Sequence, residues 1–386
     1  MTTATQPTAT ERPVDPDALN ALVSQAVGDF GSVLNAALVV VGDRLGLYRA
    51  IADAGTVTPT ELAARTGTTE RNVREWLSAQ AATGFVTYDG ESAANDSGDG
   101  EPRFSLSPEQ REAFTNEGSP AFLVGGFQVV TAAAKADEKV AAAFGTGGGL
   151  GWHEHHHDLF EGTERFFRPG YAASLVDQWL PALTSASGAS VVEILRRGGQ
   201  VADVGCGHGA STVLMAKAFP NSTFSGFDYH DASIAAAQAA AVTGDVTGNT
   251  RFSVAPAATF PAAPAGGGYD LVCYFDCLHD MGDPVGALRH TRQLLGDDGI
   301  VMLVEPAAAD ALADNLNPVG RLFYAASTLV CTPASQNQPR PGGATGLALG
   351  AQAGVARLTA VANEAGFSSV REASRTPFNV VLELRP

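Results

Sequence analysis

Cysteine is scarce. Cys206, Cys273, Cys277 and Cys331 are four in 386 residues, too few and too irregularly spaced for a disulfide framework or a paired zinc-ligand pattern. Cys273 and Cys277 stand in an otherwise apolar stretch, which marks them as buried free thiols. Charge is sparse too, at 17%, and bases are the minority within it: 24 Lys and Arg against 41 Asp and Glu, a net charge of −17. A chain of that sign repels nucleic-acid phosphates and anionic membrane surfaces unless one face is locally basic. The longest uncharged apolar run, from Pro120 up to Lys135, is broken by glycine and too short for a bilayer span. The first twenty residues carry Pro7, Pro13, Pro16 and several acids without an apolar centre, so no secretory leader is expected. The reading is a cytoplasmic protein. What the chain does have is apolar material, 45% of its residues, together with 43 glycines, enough for two or three ordinary domains.

The texture changes along the chain. Residues 1–14 are rich in Thr, Pro and Ala and read as a disordered tail. From 17 to 53 apolar residues recur at helical spacing, and Gly31 and Gly46 are expected to divide them into two or three helices. Thr58-Pro59-Thr60-Glu61 is a helix start, with Thr58 as N-cap, Pro59 in the first turn and Glu61 closing a capping box. A helix over 59–65 stopped by Gly67, a second over 70–82 stopped by Gly84, and two short strands over 85–88 and 103–106 make a winged helix. Residues 15–118 are therefore assigned to a winged-helix and dimerisation domain. Residues 119–190 are helical and aromatic-rich, among them Phe160, Phe166, Phe167, Tyr171 and Trp179, and read as a linker and substrate cap. From 191 to 386 strand and helix alternate. Strands over 201–204, 223–227, 250–254, 271–274 and 300–304 predict an open, mostly parallel α/β sheet. After a Gly/Pro-rich loop over 332–346, one more helix and two final strands close the chain.

Asp203-Val204-Gly205-Cys206-Gly207-His208-Gly209 falls where the first strand of this region ends and its helix begins. A glycine loop there brings a ligand close to the backbone, facing a helix N-terminus. Asp228 ends the second strand, where a carboxylate accepts hydrogen bonds from both ribose hydroxyls of a nucleoside. An acid two residues before the first glycine and the spacing G-x-G-x-G weigh against a nicotinamide oxidoreductase, which would bind NADH instead.

These residues resemble the class I S-adenosylmethionine (SAM) methyltransferases. The N-terminal winged helix followed by aromatic-rich helices is similar to the dimeric small-molecule O-methyltransferases, and more so to mycobacterial winged-helix methyltransferases. The resemblance implies a Rossmann-like seven-stranded sheet whose seventh strand is antiparallel, with SAM as methyl donor. It also implies that Asp203 meets the methionyl amino group, that the backbone of 205–209 lies beside the cofactor, and that Asp228 holds the ribose. Cys206, Tyr229, Ala257 and Phe275 complete the expected cofactor lining. Two departures stand out. The run Val254-Ala255-Pro256-Ala257 lacks the acid that often binds adenine, and Phe275 stands where plant-type enzymes carry Lys.

After the fourth strand comes Phe275-Asp276-Cys277-Leu278-His279-Asp280-Met281, similar to the Leu-His-Asp-Trp signature of O-methyltransferases with Met281 in place of Trp. The resemblance makes His279 the general base and Glu305, after the fifth strand, the acid that orients it. An unperturbed imidazole titrates near 6.5 and is largely neutral at about pH 7, able to accept a proton. His153, His155, His156 and His157 suggest a metal at first sight, but consecutive residues diverge and no second ligand pair has metal spacing, so no metal is assigned. Arg165 and Arg168 are open to two readings, a substrate or SAM-carboxylate contact or ordinary surface pairing. The second helix of the winged helix carries Arg71 and Arg74 with Glu70 and Glu75, and the wing over 89–101 has five acids and no base. Residues 1–110 hold 15 acids and 7 bases, the wrong sign for DNA. The expected function is methyl transfer to a small, aromatic or apolar, hydroxyl-bearing substrate by a homodimer. The competing reading is a non-catalytic, SAM-sensing winged-helix regulator.

Overall fold

The computed structural model describes residues 13–91 and 100–386, in two compact units divided between Ser107 and Pro108. Most of the expected tail (residues 1–12) and the middle of the expected wing (92–99) lie outside the described residues.

The first unit opens with α1 (Pro16–Arg44) and α2 (Leu47–Ala54), then β1 (Thr56–Val57), α3 (Pro59–Thr66), α4 (Glu70–Thr83), β2 (Thr87–Glu91) and β3 (Pro102–Ser105). The helix signals hold: Thr58 accepts from Glu61 N, the capping box is closed, and Gly67 and Gly84 end α3 and α4 in left-handed conformation. Gly31 does not break α1, which runs straight through it for 29 residues; only Gly46 divides the segment. An exposed interior glycine costs a helix about 1 kcal/mol, too little to stop one this long. The wing is also larger than expected. Two-residue β1 joins it, giving the order β1-β3-β2, and a pair of residues is too short for any periodicity to reveal. Tyr48 donates to Gln80 at 2.7 Å, Gln80 donates to Asn35 at 2.7 Å, and the Trp76 indole donates to the Leu38 carbonyl at 2.9 Å. These bonds tie α1, α2 and α4 at one end. Along the rest of α1, Leu19, Leu22, Val23, Val27, Phe30, Val33 and Leu34 are exposed. This helix is also long and apolar enough to cross a membrane.

The second unit begins with α5 (Pro108–Thr115), α6 (Val124–Ala134), α7 (Asp137–Thr146), α8 (Asp158–Ser174) and α9 (Val191–Arg197). Then come β4 (Gln200–Val204), α10 (Ala210–Ala218), β5 (Thr223–Asp228), α11 (Asp231–Thr243), β6 (Thr250–Val254), β7 (Tyr269–Phe275), α12 (Pro284–Leu294) and β8 (Leu295–Pro306). After these follow α13 (Pro318–Ala326), α14 (Thr332–Gln336), α15 (Gly354–Glu364), β9 (Ser369–Arg375) and β10 (Asn379–Arg385). The seven strands lie in the order β6-β5-β4-β7-β8-β10-β9, parallel except that β10 runs antiparallel to both neighbours. The central strands bury both faces, so their sequences read as unbroken apolar runs. Ala202, Val204, Val272, Tyr274, Val301 and Leu303 enter one core; Val201, Leu271, Cys273, Ile300, Met302 and Val304 enter the other. The Gly/Pro-rich stretch after Cys331 is not all loop. Its Pro333 sits in the first turn of α14, where its missing N–H is not needed.

Candidate active site

β4, β5, β7 and β8 end on the same side of the sheet, and their carboxyl ends carry the polar residues singled out from the sequence. At the end of β4, Asp203 is buried, and its Oδ2 accepts from Ser211 and Thr212 hydroxyls, both at 2.6 Å. Its Oδ1 is buried without a partner. Burial is the main reason its pKa rises to about 6, against the two hydroxyls, which lower it. An orphaned carboxylate oxygen beside a glycine loop fits a cationic amine. The loop fits as well. Gly205, Gly207 and Gly209 all have positive φ. A Cβ at Gly205 would meet Cys277 Sγ at 2.8 Å and one at Gly209 would meet Ala237 at 2.9 Å, whereas one at Gly207 would point into open space. The outer two glycines serve packing, and the middle one borders the cleft.

Asp228 closes the loop from β5. Its Oδ2 accepts from Gly207 N at 3.0 Å and its Oδ1 from His230 N at 2.9 Å. Burial raises its pKa and the two amide bonds oppose that. Each oxygen keeps a lone pair for a hydroxyl donor. Cys206 is buried with its amide bonded to Phe227 O at 3.0 Å, and Tyr229 is exposed beside Asp228. Phe275 is buried with its ring 5.4 Å from Tyr171. Ala257 lies in a turn after β6, half-buried against the core, and offers the site no side-chain polar group.

His279 sits in a 3-10 turn (Leu278–Asp280) after β7, buried together with Glu305 from the end of β8. Its Nδ1 contacts Glu305 Oε2, while Glu305 Oε1 accepts from Leu278 N at 3.0 Å. Its Nε2 lies 3.1 Å from Asp280 Oδ1. The ring is therefore not the unperturbed imidazole expected from the sequence. Burial alone would push its pKa down, but Glu305 and Asp280 outweigh burial and hold it well above the ordinary value.

Two further networks had no signal in the sequence. The Trp152 indole donates to Asp280 Oδ2 at 2.8 Å, so an indole reaches the His-Asp motif although Met281 replaces its Trp. Asp276 has a left-handed backbone, φ 49°, unusual outside glycine. Its carboxyl accepts from Tyr171 Oη at 2.7 Å and from Asn379 Nδ2 at 2.8 and 2.9 Å. Burial first, and then neighbouring Glu305, raise its pKa to about 7.

The aromatic segment divides its work. Trp179 is core, whereas Phe160 stacks on His230 at 4.8 Å and meets Trp152 edge-on at 5.5 Å. An aromatic row thus runs from Asp280 to the turn after Asp228. Arg165, largely buried, pairs with Glu117 at 3.3 Å and donates to Gln128 at 3.0 Å, and Arg168 lies 2.9 Å from Glu164. Of the histidines, His155 is buried, and His156 and His157 lie 3.1 and 3.4 Å from the Asp158 carboxylate. Lys135 Nζ sits 3.2 Å from the same group and already supplies the cation.

Residues 195–342 match the family described as Methyltransferase domain, and residues 34–96 match the Rv2258c-like winged HTH domain. These matches place a methyltransferase domain within the second unit and a winged helix within the first, as the two folds do. Among solved structures it is similar to the mitomycin 7-O-methyltransferase MmcR (18% identity, 96% of this chain and 100% of that one, TM-score 0.66). It is similar to human N-acetylserotonin methyltransferase in complex with SAM (13%, 96% and 98%, TM-score 0.65). It is also similar to the O-methyltransferase NcsB1 of neocarzinostatin biosynthesis, solved with S-adenosylhomocysteine (SAH) and 1,4-dihydroxy-2-naphthoic acid (18%, 94% and 98%, TM-score 0.55). No curated protein sequence matches the chain significantly.

Proposed function

We propose that the protein transfers a methyl group from SAM to a hydroxyl on a small aromatic or apolar molecule, as a cytoplasmic homodimer. The observation that carries the reading is the buried, unpartnered Oδ1 of Asp203 beside the open Gly207. A buried polar atom left unpaired costs about 1–3 kcal/mol, which an ammonium ligand recovers. SAM supplies an electrophilic methyl and a cationic amine. Asp203 takes the amine, the backbone of 205–209 lies along the cofactor, and Asp228 takes the ribose hydroxyls. Cys206, Tyr229, Ala257 and Phe275 line the remainder. The cap row of Trp152 and Phe160 keeps water from the acceptor, and the His279–Glu305 pair takes the hydroxyl proton. Such proton transfer is worth about 10²–10⁴-fold in rate.

The regulator reading is less favoured. In α4, Arg71 and Arg74 face Glu75 and Glu70 at 2.5 and 2.6 Å on the same helix, which leaves little positive field for phosphates. The exposed apolar stripe of α1 instead suits a second copy of the chain.

Calorimetry with SAH tests the cofactor site. Asp228→Asn keeps an acceptor for the Gly207 amide and loses the charge, and it is expected to weaken SAH about tenfold or more, as loss of a charge-assisted pair does. Unchanged affinity would remove Asp228 from the site.

A further inference from the structure

Three buried side chains of different chemistry converge after β7. His279 and Asp280 come from the 3-10 turn Leu278–Asp280, and Cys331 ends the helical turn Ser327–Cys331 that leads into α14. One ligating atom from each lies within 4.8 Å of the other two. Asp280 Oδ1 is buried with no hydrogen-bond partner, 3.1 Å from His279 Nε2. The remaining polar atoms are committed elsewhere: His279 Nδ1 faces Glu305 Oε2, and Asp280 Oδ2 accepts from the Trp152 indole at 2.8 Å. An imidazole steadied by a carboxylate at its far nitrogen, and a carboxylate steadied by an N–H at its far oxygen, are the supports that orient metal ligands. Tetrahedral zinc, with bonds of about 2.0–2.2 Å to N and O and about 2.3 Å to S, spaces its ligands roughly 3.3–3.7 Å apart. The Nε2–Oδ1 pair is already near that spacing, and the thiol needs only a small side-chain movement. Thiolate with imidazole favours Zn²⁺ over Mg²⁺ or Ca²⁺. His156, His157 and Asp158 form another such group, but Lys135 Nζ, 3.2 Å from that carboxylate, already supplies positive charge there.

We propose that His279, Asp280 and Cys331 form a Zn²⁺ site, and that filling it shuts off methyl transfer. The inhibition rests on the methyl-transfer reading; the site itself does not. Binding forms bonds from zinc to Nε2, Oδ1 and Sγ, and the thiol proton and any proton on Nε2 go to solvent. Three protein ligands leave a fourth position for water. The Nε2 lone pair is then held by the ion, so the ring no longer takes the hydroxyl proton. Cys331 has no part in the transfer itself, which separates the two functions: the thiol serves only the ion. Fifty-one positions lie between Asp280 and Cys331, so no local spacing in the chain marks the set.

The test titrates the full chain, first stripped with a chelator, with Zn²⁺ in a calorimeter and with Co²⁺ in a spectrophotometer. The expected result is a zinc site of one ion per chain and a near-ultraviolet thiolate-to-cobalt band. Cys331→Ala is expected to lose the band and to weaken Zn²⁺ about 100-fold, with SAH affinity unchanged, and Glu305→Gln, which loosens the ring, to weaken Zn²⁺ about 10–100-fold. A native chain that binds no Zn²⁺, a band that survives Cys331→Ala, or a Zn²⁺ affinity that this substitution does not move overturns the site. If Cys331→Ala does not fold, Cys331→Ser keeps the volume and gives the same readouts. Transfer of labelled methyl to simple phenols tests the inhibition. Zn²⁺ at about ten times its Kd is expected to cut native turnover about tenfold, reversibly by chelator, as mass action requires. Cys331→Ala is expected to turn over as the metal-free native chain does and to resist the same Zn²⁺. Zinc that binds through Cys331 without slowing transfer, or that speeds it, overturns the inhibition. Should the metal-free chain methylate none of these phenols, the hydroxyl reading fails, while calorimetry and the cobalt spectrum still decide whether the zinc site exists.

Discussion

Asp203 has two jobs that pull against each other. It must be buried to be pre-aimed, and burial lifts its pKa to about 6. An ammonium ligand selects the carboxylate form. SAH affinity, measured by calorimetry, is therefore expected to be flat above about pH 7 and to fall toward tenfold per unit below about 6. A flat profile down to about pH 5 would mean that Asp203 does not carry the amine. Asp203, Asp228 and Glu305 stand at strand ends on the ligand-binding edge of an α/β sheet and were legible as such, whereas His279, in the turn after β7, stood out through its resemblance to the Leu-His-Asp-Trp signature. Their neighbours were not. Tyr171 reaches Asp276 across 105 residues, Asn379 across 103, and Trp152 reaches Asp280 across 128. No local pattern encodes such distances, and only the positive φ of Asp276 marks the place once the backbone is known. The raised pKa of His279 had another origin, the balance of burial against the neighbouring Glu305 and Asp280 carboxylates, which only the folded site sets.

Between elements, α6 and α8 approach most closely at glycines. A Cβ at Gly125 would come 2.5 Å from the Phe166 amide, and one at Gly162 would come 2.9 Å from that of Val129. That close crossing sets the height of the cap and hence where Phe160 and Tyr171 reach. Gly162→Ala is expected to cost about 1–3 kcal/mol through overpacking. Gly170, on the same helix with nothing within 4 Å, is the control: Gly170→Ala is expected to be neutral or to stabilise by up to about 1 kcal/mol. Chemical denaturation of the two variants checks the pair, and equal stabilities would mean the crossing is not tight. Helix starts and stops were readable where a cap residue signals them, as at Thr58 and Gly84. Gly31 misled because glycine is only a weak breaker when the flanking turns hold, and α14 was missed because proline suits both a loop and a first helical turn.

For the molecule as a whole, α1 presents a long exposed apolar stripe. Twenty-nine residues span about 43 Å of helix, and most of the apolar side chains along it are exposed. The homodimer proposed above would cover that stripe. Leu22→Glu with Phe30→Glu is expected to convert a dimer to a monomer in light scattering after gel filtration, with SAH affinity unchanged. A native chain that is monomeric, or that floats with lipid vesicles, would refute the pairing.

The order of the sheet carries a consequence for how the molecule comes into being. β10 is inserted between β8 and β9, although both precede it in the chain, and it brings Asn379 to the mouth of the site. Until residue 379 and its successors emerge from the ribosome, β8 and β9 are two bare edges separated by a strand-wide gap, and Asp276 lacks one of its anchors. Nascent chains shorter than this are therefore exposed to edge-to-edge association, and the reaction centre matures only when that interior strand docks.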